Sequence, residues 1–178
     1  MILLVAATER ELARAHGAAV LACGVGPVEA AAATSRALAE RRPDVLLHVG
    51  IAGGRGLTPP QLVIGSEAVY EDAAGGAWVP SRVEPAPGAL AAARRALPDA
   101  LVLPIATSAR VGGTTACTVE AMEGFAVLRA AELASVPAVE VRAVSNEIEE
   151  QDRALWQVER ALGALEAAIP RLLAELAR

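Results

Sequence analysis

Glu11 in "AATERE", Glu123 in "AMEGFA", and Ser145 with Asn146 in "VEVRAVSNEIEE" place carboxylate, hydroxyl and amide groups at the ends of apolar runs. A carboxylate accepts hydrogen bonds or a proton, and a carboxamide offers both donors and an acceptor. Such groups can activate water or hold a polar ligand. Each also has an ordinary structural explanation. Glu11 follows Thr8 at the capping-box spacing. Glu123 can be a solvated residue in the first turn of a helix, and Asn146 can close its strand in an Asx-turn. His16 and His48 have no neighbours in a catalytic or metal-binding pattern, and His48, inside an apolar run, reads as a hydrogen-bonded structural residue.

The elements around these residues bring them together. "MILLVAA" (1–7) reads as a strand buried on both faces, and "GAAVLACGVG" (17–26) as a second strand. "PVEAAAATSRALAERR" (27–42) is a helix with Pro at its start and Arg at its end. "PDVLLHVGIAGG" (43–54) is a third strand running into glycines. "QLVIGSEAVYED" and "AWVPSRV" suggest strands around a turn at 73–76, and the three prolines of 80–88 suggest a surface loop. Helices follow over 89–97 and 120–134, strands over 100–109 and 137–146. After Asp152 a long amphipathic helix carries Leu155, Val158, Leu162, Leu165, Ile169 and Leu172 on one stripe. Alternating strands and helices predict a three-layer α/β/α sandwich with a central mixed sheet, as one domain over 1–178. Ligands of such folds collect beyond the strand C-termini. "AATERE", "GIAGG" and "VSNEIEE" therefore share one crevice, where the backbone of "GIAGG" can meet a sugar or a base.

Composition narrows the function. The chain of 178 residues is 54% hydrophobic and only 2% aromatic, so ligand contacts fall to backbone and aliphatic groups. A net charge of −5 argues against a nucleic-acid partner. Cys23 and Cys117 form no disulfide or metal pattern, which suits a reducing compartment. The apolar start is too short for a signal peptide, and no uncharged stretch reaches the ~18–20 residues that span a bilayer. A soluble, cytoplasmic protein without membrane partners is expected. The dinucleotide fingerprint G-x-G-x-x-G is absent from "CGVGPVEA" and "GIAGG".

The order "VAATERE", "PDVLLHVGIAGG", "AMEGFAVLRAAELASVPAVEVRAVSN" resembles the nucleoside phosphorylase/nucleosidase superfamily. Its methylthioadenosine/S-adenosylhomocysteine nucleosidase and futalosine hydrolase branches are nearest, the latter also through "SNEIEEQDRALW". The resemblance implies hydrolysis of an N-ribosidic bond with no metal and no other cofactor, and a homo-oligomer. It assigns Glu11 as general base for water, Glu123 to the ribose hydroxyls, and Met122 beneath the sugar. Ala52 and Gly53 fall beside the nucleoside, and Asn146, oriented by Ser145, falls at the purine.

Where adenine-directed members carry Asp, this chain has Asn146. Its amide can donate to O6 and accept from a protonated N7, which points to hypoxanthine or guanine. The futalosine branch cleaves a hypoxanthine nucleoside. "TSARVGGTTACT" lacks the aromatic that often stacks on the base, so Phe125, or Arg110 with Val111, is left to cover it. A methylthioadenosine-type nucleosidase, a purine nucleoside phosphorylase and a non-catalytic nucleoside binder are the alternatives. A phosphorylase needs a cationic phosphate site, and Arg36, Arg55 and Arg110 form no evident one. The acidic "EIEE" (147–150) reads as a solvated lead-in to the last helix.

Overall fold

The computed structural model describes residues 1–12, 18–73, 76–112 and 115–178. His16 and part of the turn expected at 73–76 lie outside the described residues. The strands are β1 (Ile2–Ala6), β2 (Ala19–Ala22), β3 (Val45–Gly54), β4 (Leu62–Tyr70), β5 (Arg82–Val83), β6 (Leu101–Thr107), β7 (Val119–Ala121) and β8 (Ala138–Asn146). The helices are α1 (Pro27–Arg41), α2 (Pro87–Ala96), α3 (Gly124–Leu133) and α4 (Val158–Leu176).

One mixed sheet runs in the order β2-β1-β3-β7-β6-β4-β5, with β8 paired to both β3 and β4. The expected α/β fold with a central mixed sheet and flanking helices is what forms. Helices α1 and α3 pack on one side of the sheet, burying Ala30, Leu38, Val127 and Leu128 against Leu3, Val5 and Leu46. On the other side lie α2 and α4, with Ala93, Leu165, Ile169 and Leu172 against Leu4, Leu47, Val139 and Val141. Small side chains let these layers approach closely. Because β3 pairs with β7 and β8, β8 with β4, β4 with β6, and β6 with β7, the pairing also closes a ring. Ala52, Val63, Ile105, Val119 and Val144 fill a core cluster of their own among these strands.

Four expectations shift. The strand expected over "AWVPSRV" begins as the end of a 3-10 turn (Gly76–Trp78), continues irregularly, and only Arg82–Val83 pairs with β4. The surface loop expected over 80–88 holds that strand, buries Val83, and starts α2 at Pro87. The helix expected from 120 begins at Gly124, because Val119–Ala121 is captured between β3 and β6. Leu155, placed on the apolar stripe of the last helix, is 63% exposed in a separate short turn, since α4 starts only at Val158.

Candidate active site

A cleft of about 290 Å³ opens beyond the C-terminal ends of β1, β3 and β8. Thr8, Arg10 and Glu11 enter it after β1, Ile51, Ala52 and Gly53 from β3, and Ser145 and Asn146 from β8. Arg110, Val111, Gly112, Glu120, Met122 and Glu123 form another side, and Trp156, Val158 and Leu162 close it from the start of α4.

Glu11 is 7% exposed and held by three donors. Its Oε2 accepts from the Thr8 backbone N–H at 2.9 Å and from the Thr8 hydroxyl at 2.7 Å, while Oε1 accepts from the Ile51 N–H at 3.1 Å. The capping-box pair therefore exists, and the second carboxylate oxygen ties it to β3. Glu123 stands just before α3 with non-helical angles, φ −126° and ψ −23°. Its Oε1 accepts from the Gly26 N–H at 3.1 Å, at the positive end of α1, and its Oε2 from Arg142 Nη2 at 3.4 Å.

Arg142 is 1% exposed and organises the floor. Its Nε donates to Glu140 Oε1 at 2.7 Å, Nη2 to His48 Nε2 at 2.6 Å, and Nη1 to the Ile51 carbonyl at 3.4 Å. His48 Nδ1–H donates to the Val5 carbonyl at 3.1 Å, leaving Nε2 as the acceptor that faces Arg142. Burial and the neighbouring guanidinium hold the imidazole well below its usual pKa, so it is neutral. Burial pushes the Glu140 carboxyl up, against the pull of Arg142. For Arg142, burial works against the charge but Glu140 and Glu123 outweigh it, and its pKa rises.

Two glycines make this packing possible. A Cβ on Gly50 would stand 2.2 Å from Arg142 Nη1 and 3.0 Å from Glu11 Oε1. A Cβ on Gly124 would stand 2.2 Å from Glu140 Oε2. The glycine of M-E-G thus lets a buried carboxylate reach the first turn of α3.

At the opposite end, the register between β3 and β8 shifts so that Gly53 pairs with Asn146 and Ser145 is passed over. Such a bulge re-aims side chains, and Ser145 and Asn146 both line the cleft. The Ser145 hydroxyl donates to Asn146 Oδ1 at 2.6 Å, with the Ala52 carbonyl 3.2 Å away as a second acceptor. Asn146 Nδ2 donates to the Glu147 carbonyl at 2.9 Å. That leaves the amide a second N–H and a second lone pair for a ligand.

Residues 8–118 match the Phosphorylase superfamily. A futalosine hydrolase of Streptomyces coelicolor is 35% identical over 188 residues, covering 86% of this chain and 77% of that protein. The chain belongs to the phosphorylase superfamily. It is an enzyme of that nucleoside hydrolase and phosphorylase class. The fold agrees with solved structures at low identity. A methylthioadenosine/S-adenosylhomocysteine nucleosidase of Colwellia psychrerythraea, in complex with adenine, has a TM-score of 0.86 at 19% identity, covering 98% of this chain and 95% of that one. A futalosine hydrolase mutant of Helicobacter pylori has a TM-score of 0.86 at 15% identity, covering 99% and 98%.

Within this phosphorylase-superfamily fold the cleft gathers Glu11, Ala52, Gly53, Met122, Glu123, Ser145 and Asn146, all expected from the sequence. Phe125 does not join them. Its ring stacks on Tyr70, centroids 5.1 Å apart, because the first turn of α3 turns it into the core beneath. Arg110 and Val111, the other expected cover, do line the cleft. Of the arginines weighed for phosphate, Arg55 is bound to Glu149 at 2.6 Å and Arg36 is exposed on α1. "EIEE" is more than a solvated lead-in: Glu147 accepts from the Gly56 N–H, Glu149 pairs with Arg55, and Ile148 is buried at the cleft wall. Glu140, Arg142 and Glu120 belong to the buried or cleft-lining polar residues without standing out in the sequence pattern. The first two had a usable signal, since "E-V-R" puts opposite charges on one face of a buried strand.

Proposed function

We propose that this enzyme hydrolyses the N-ribosidic bond of futalosine, releasing hypoxanthine and dehypoxanthine futalosine, a step of menaquinone biosynthesis. The observation that carries the reading is Asn146, buried at the cleft and oriented by Ser145, at the position where the family resemblance implies Asp in adenine-directed members. The 35% identity to a protein named futalosine hydrolase supports it.

Breaking the bond develops positive charge on the ribose and negative charge on the base. Catalysis consists of stabilising both where they form. Glu11 orients water toward the anomeric carbon and takes its proton, an effect worth ~10²–10⁴-fold. The three donors on Glu11 fix the carboxylate's direction. Glu123, anchored by Gly26 and Arg142, receives the ribose hydroxyls, with Met122 beneath the ring. The carboxylates around Arg142 favour the cationic sugar. Asn146 donates its remaining N–H to O6 of the departing hypoxanthine and accepts from N7 once that nitrogen has taken a proton from solvent water. The base leaves neutral while Glu11 holds the proton of the attacking water. Chemistry of this kind needs no metal or organic cofactor.

The test is an assay with futalosine, inosine, guanosine and methylthioadenosine, each with and without phosphate. Hypoxanthine release from futalosine without phosphate is expected. Turnover strictly dependent on phosphate, or preferential release of adenine, would overturn the reading.

A further inference from the structure

The proposed reaction needs the donor and the acceptor of Asn146 to point in fixed directions, and Ser145 does not secure that alone. A hydroxyl both donates and accepts, so it satisfies either end of an amide. The partner that decides is the Glu147 carbonyl, which only accepts and holds Nδ2 at 2.9 Å. The same carbonyl takes the Glu150 N–H at 3.1 Å and so closes a turn over 147–150. Whatever holds this turn therefore holds the Asn146 amide. Two residues just beyond β3 do so. Gly56, at φ +66°, turns its N–H onto the Glu147 carboxylate, at 3.1 and 3.0 Å from its oxygens. Arg55 donates to Glu149 Oε1 from Nε at 2.9 Å and from Nη2 at 2.6 Å. An exposed ion pair contributes little by itself, but this guanidinium is anchored on its other side. Nη1 donates to the Cys117 carbonyl at 2.9 Å, Nη2 to the Thr115 carbonyl at 3.3 Å, and the Arg55 backbone N–H to the Thr118 carbonyl at 2.8 Å. One side chain thus joins the segment that leads into β7 to the segment that leaves β8.

We propose that Arg55 is a positioning residue: by clasping the 147–150 turn it holds the Asn146 amide in one of its two orientations and so sets which purine the cleft prefers. As held, the amide in the proposed reaction meets O6 with its N–H and a protonated N7 with Oδ1, the pattern of a 6-oxopurine. Turned over, it offers Oδ1 to the N6 amino group and N–H to an unprotonated N7, the pattern of adenine. Freeing the turn admits both. This assignment rests on the reading of the Asn146 end as the base site. Arg55 acts on the base through Glu149, the turn and Asn146, and touches no reacting atom.

Titration of wild type, Arg55→Ala, Arg55→Lys and Glu149→Ala with hypoxanthine and adenine, together with the Tm of each protein, tests it. The ratio of the two affinities is read, so a uniform loss of active protein does not disturb it. Wild type should bind hypoxanthine ~10-fold or more tighter than adenine, the scale set by an unmatched buried polar group. Arg55→Ala should bring the two ligands within ~3-fold of each other. Arg55→Lys keeps the charge without the fork and should fall between. Glu149→Ala, a surface change that opens the same link, should lower the ratio ~3-fold or more, and it carries the test if Arg55→Ala does not fold. A lowered Tm with the wild-type ratio kept in the alanine variants marks a merely structural clasp and overturns the proposal, as does a wild type without preference. Hypoxanthine release from futalosine with unchanged variant ratios defeats the Arg55 assignment alone. A wild type that prefers adenine, with that preference lost in Arg55→Ala, upholds the positioning role and defeats the hypoxanthine reading alone.

Discussion

Replacing Arg142 by Met exposes how the buried charges are held. Methionine fills the channel of the arginine stem with an unbranched apolar chain. The change removes donors to Glu140, His48, Glu123 and the Ile51 carbonyl at once. Glu140, with no exposed surface, loses its countercharge. Losing one partner of a buried pair typically costs ~3–5 kcal/mol. Protonation of the carboxyl sets a ceiling on that cost. Starting from the ordinary value of 4.5, holding a proton on Glu140 at pH 7 costs about 2.5 × 1.36, or ~3.4 kcal/mol. At pH 5 the same proton costs only ~1 kcal/mol. The sign follows from linkage: in the variant the folded carboxyl sits above its unfolded pKa, so folding binds an extra proton and the penalty grows with pH. His48, no longer facing a cation, takes up a proton more readily and relieves the variant in the same direction. Urea denaturation of both proteins at pH 5 and pH 7 measures the difference. A loss of about 3 kcal/mol at pH 7, shrinking by ~2 kcal/mol at pH 5, is expected. The double variant Arg142→Met with Glu140→Gln should regain most of it. A pH-independent penalty, or no recovery in the double variant, would refute this account of the cluster.

Glu11→Gln should lower turnover by ~10²–10⁴-fold while binding of a non-hydrolysable nucleoside analogue persists, and an unchanged rate removes Glu11 from the mechanism. Asn146→Asp should impair release of hypoxanthine by ~10-fold or more in kcat/KM, since a carboxylate cannot donate to O6; kinetics identical to wild type would defeat the base-recognition argument. His48 binds a proton more weakly folded than unfolded, so its contribution to stability is present above its unfolded pKa near 6.5 and is lost as pH falls below it. Between pH 7 and pH 5 that loss amounts to ~2 kcal/mol, and calorimetric comparison with His48→Gln should show it only in wild type. Gly124→Ala drives a methyl to 2.2 Å from Glu140 Oε2 and should cost ~1–3 kcal/mol, read from the shift in Tm. A neutral substitution there would mean that α3 shifts freely against β8.

The residues legible in the sequence were those whose local pattern coincided with their role. Thr8 and Glu11 make a capping-box spacing that the fold also uses to aim Glu11. Ser145 and Asn146 interrupt an apolar run where a strand must end, and that interruption is the site. What escaped depends on contacts between distant segments. Strand β7 has three residues, too few for a periodicity, and exists because β3 and β6 lie on either side of it. Phe125 invites a stacking role because aromatics are scarce, yet the ring faces Tyr70 in the core. His48 reads from its apolar run as structural and hydrogen-bonded, and so it is, but its partners Val5 and Arg142 lie 43 and 94 residues away. Arg142 lies within "VEVRAVSN", but a buried guanidinium is intelligible only once Glu140, Glu123 and His48 surround it.

The same cluster gives the cleft a direction. Glu11, Glu123 and Glu140 supply three carboxylates around one guanidinium, and His48 adds no charge because burial and Arg142 keep it neutral. The end that the proposed function gives to the sugar is therefore anionic by composition. The other end presents the Asn146 amide and its donor N–H, with Glu120 also on the wall. In the proposed reaction a sugar that becomes cationic meets carboxylates already in place, so little reorganisation is required there at the moment of reaction. Strand β8 builds both ends. Glu140 and Arg142 face one way at a two-residue spacing, and the bulge at Ser145 then turns Asn146 into the same cleft. A one-residue deletion at the bulge would keep Arg142 in place and send Asn146 to the opposite face. The ends of the site can thus be uncoupled by strand register alone.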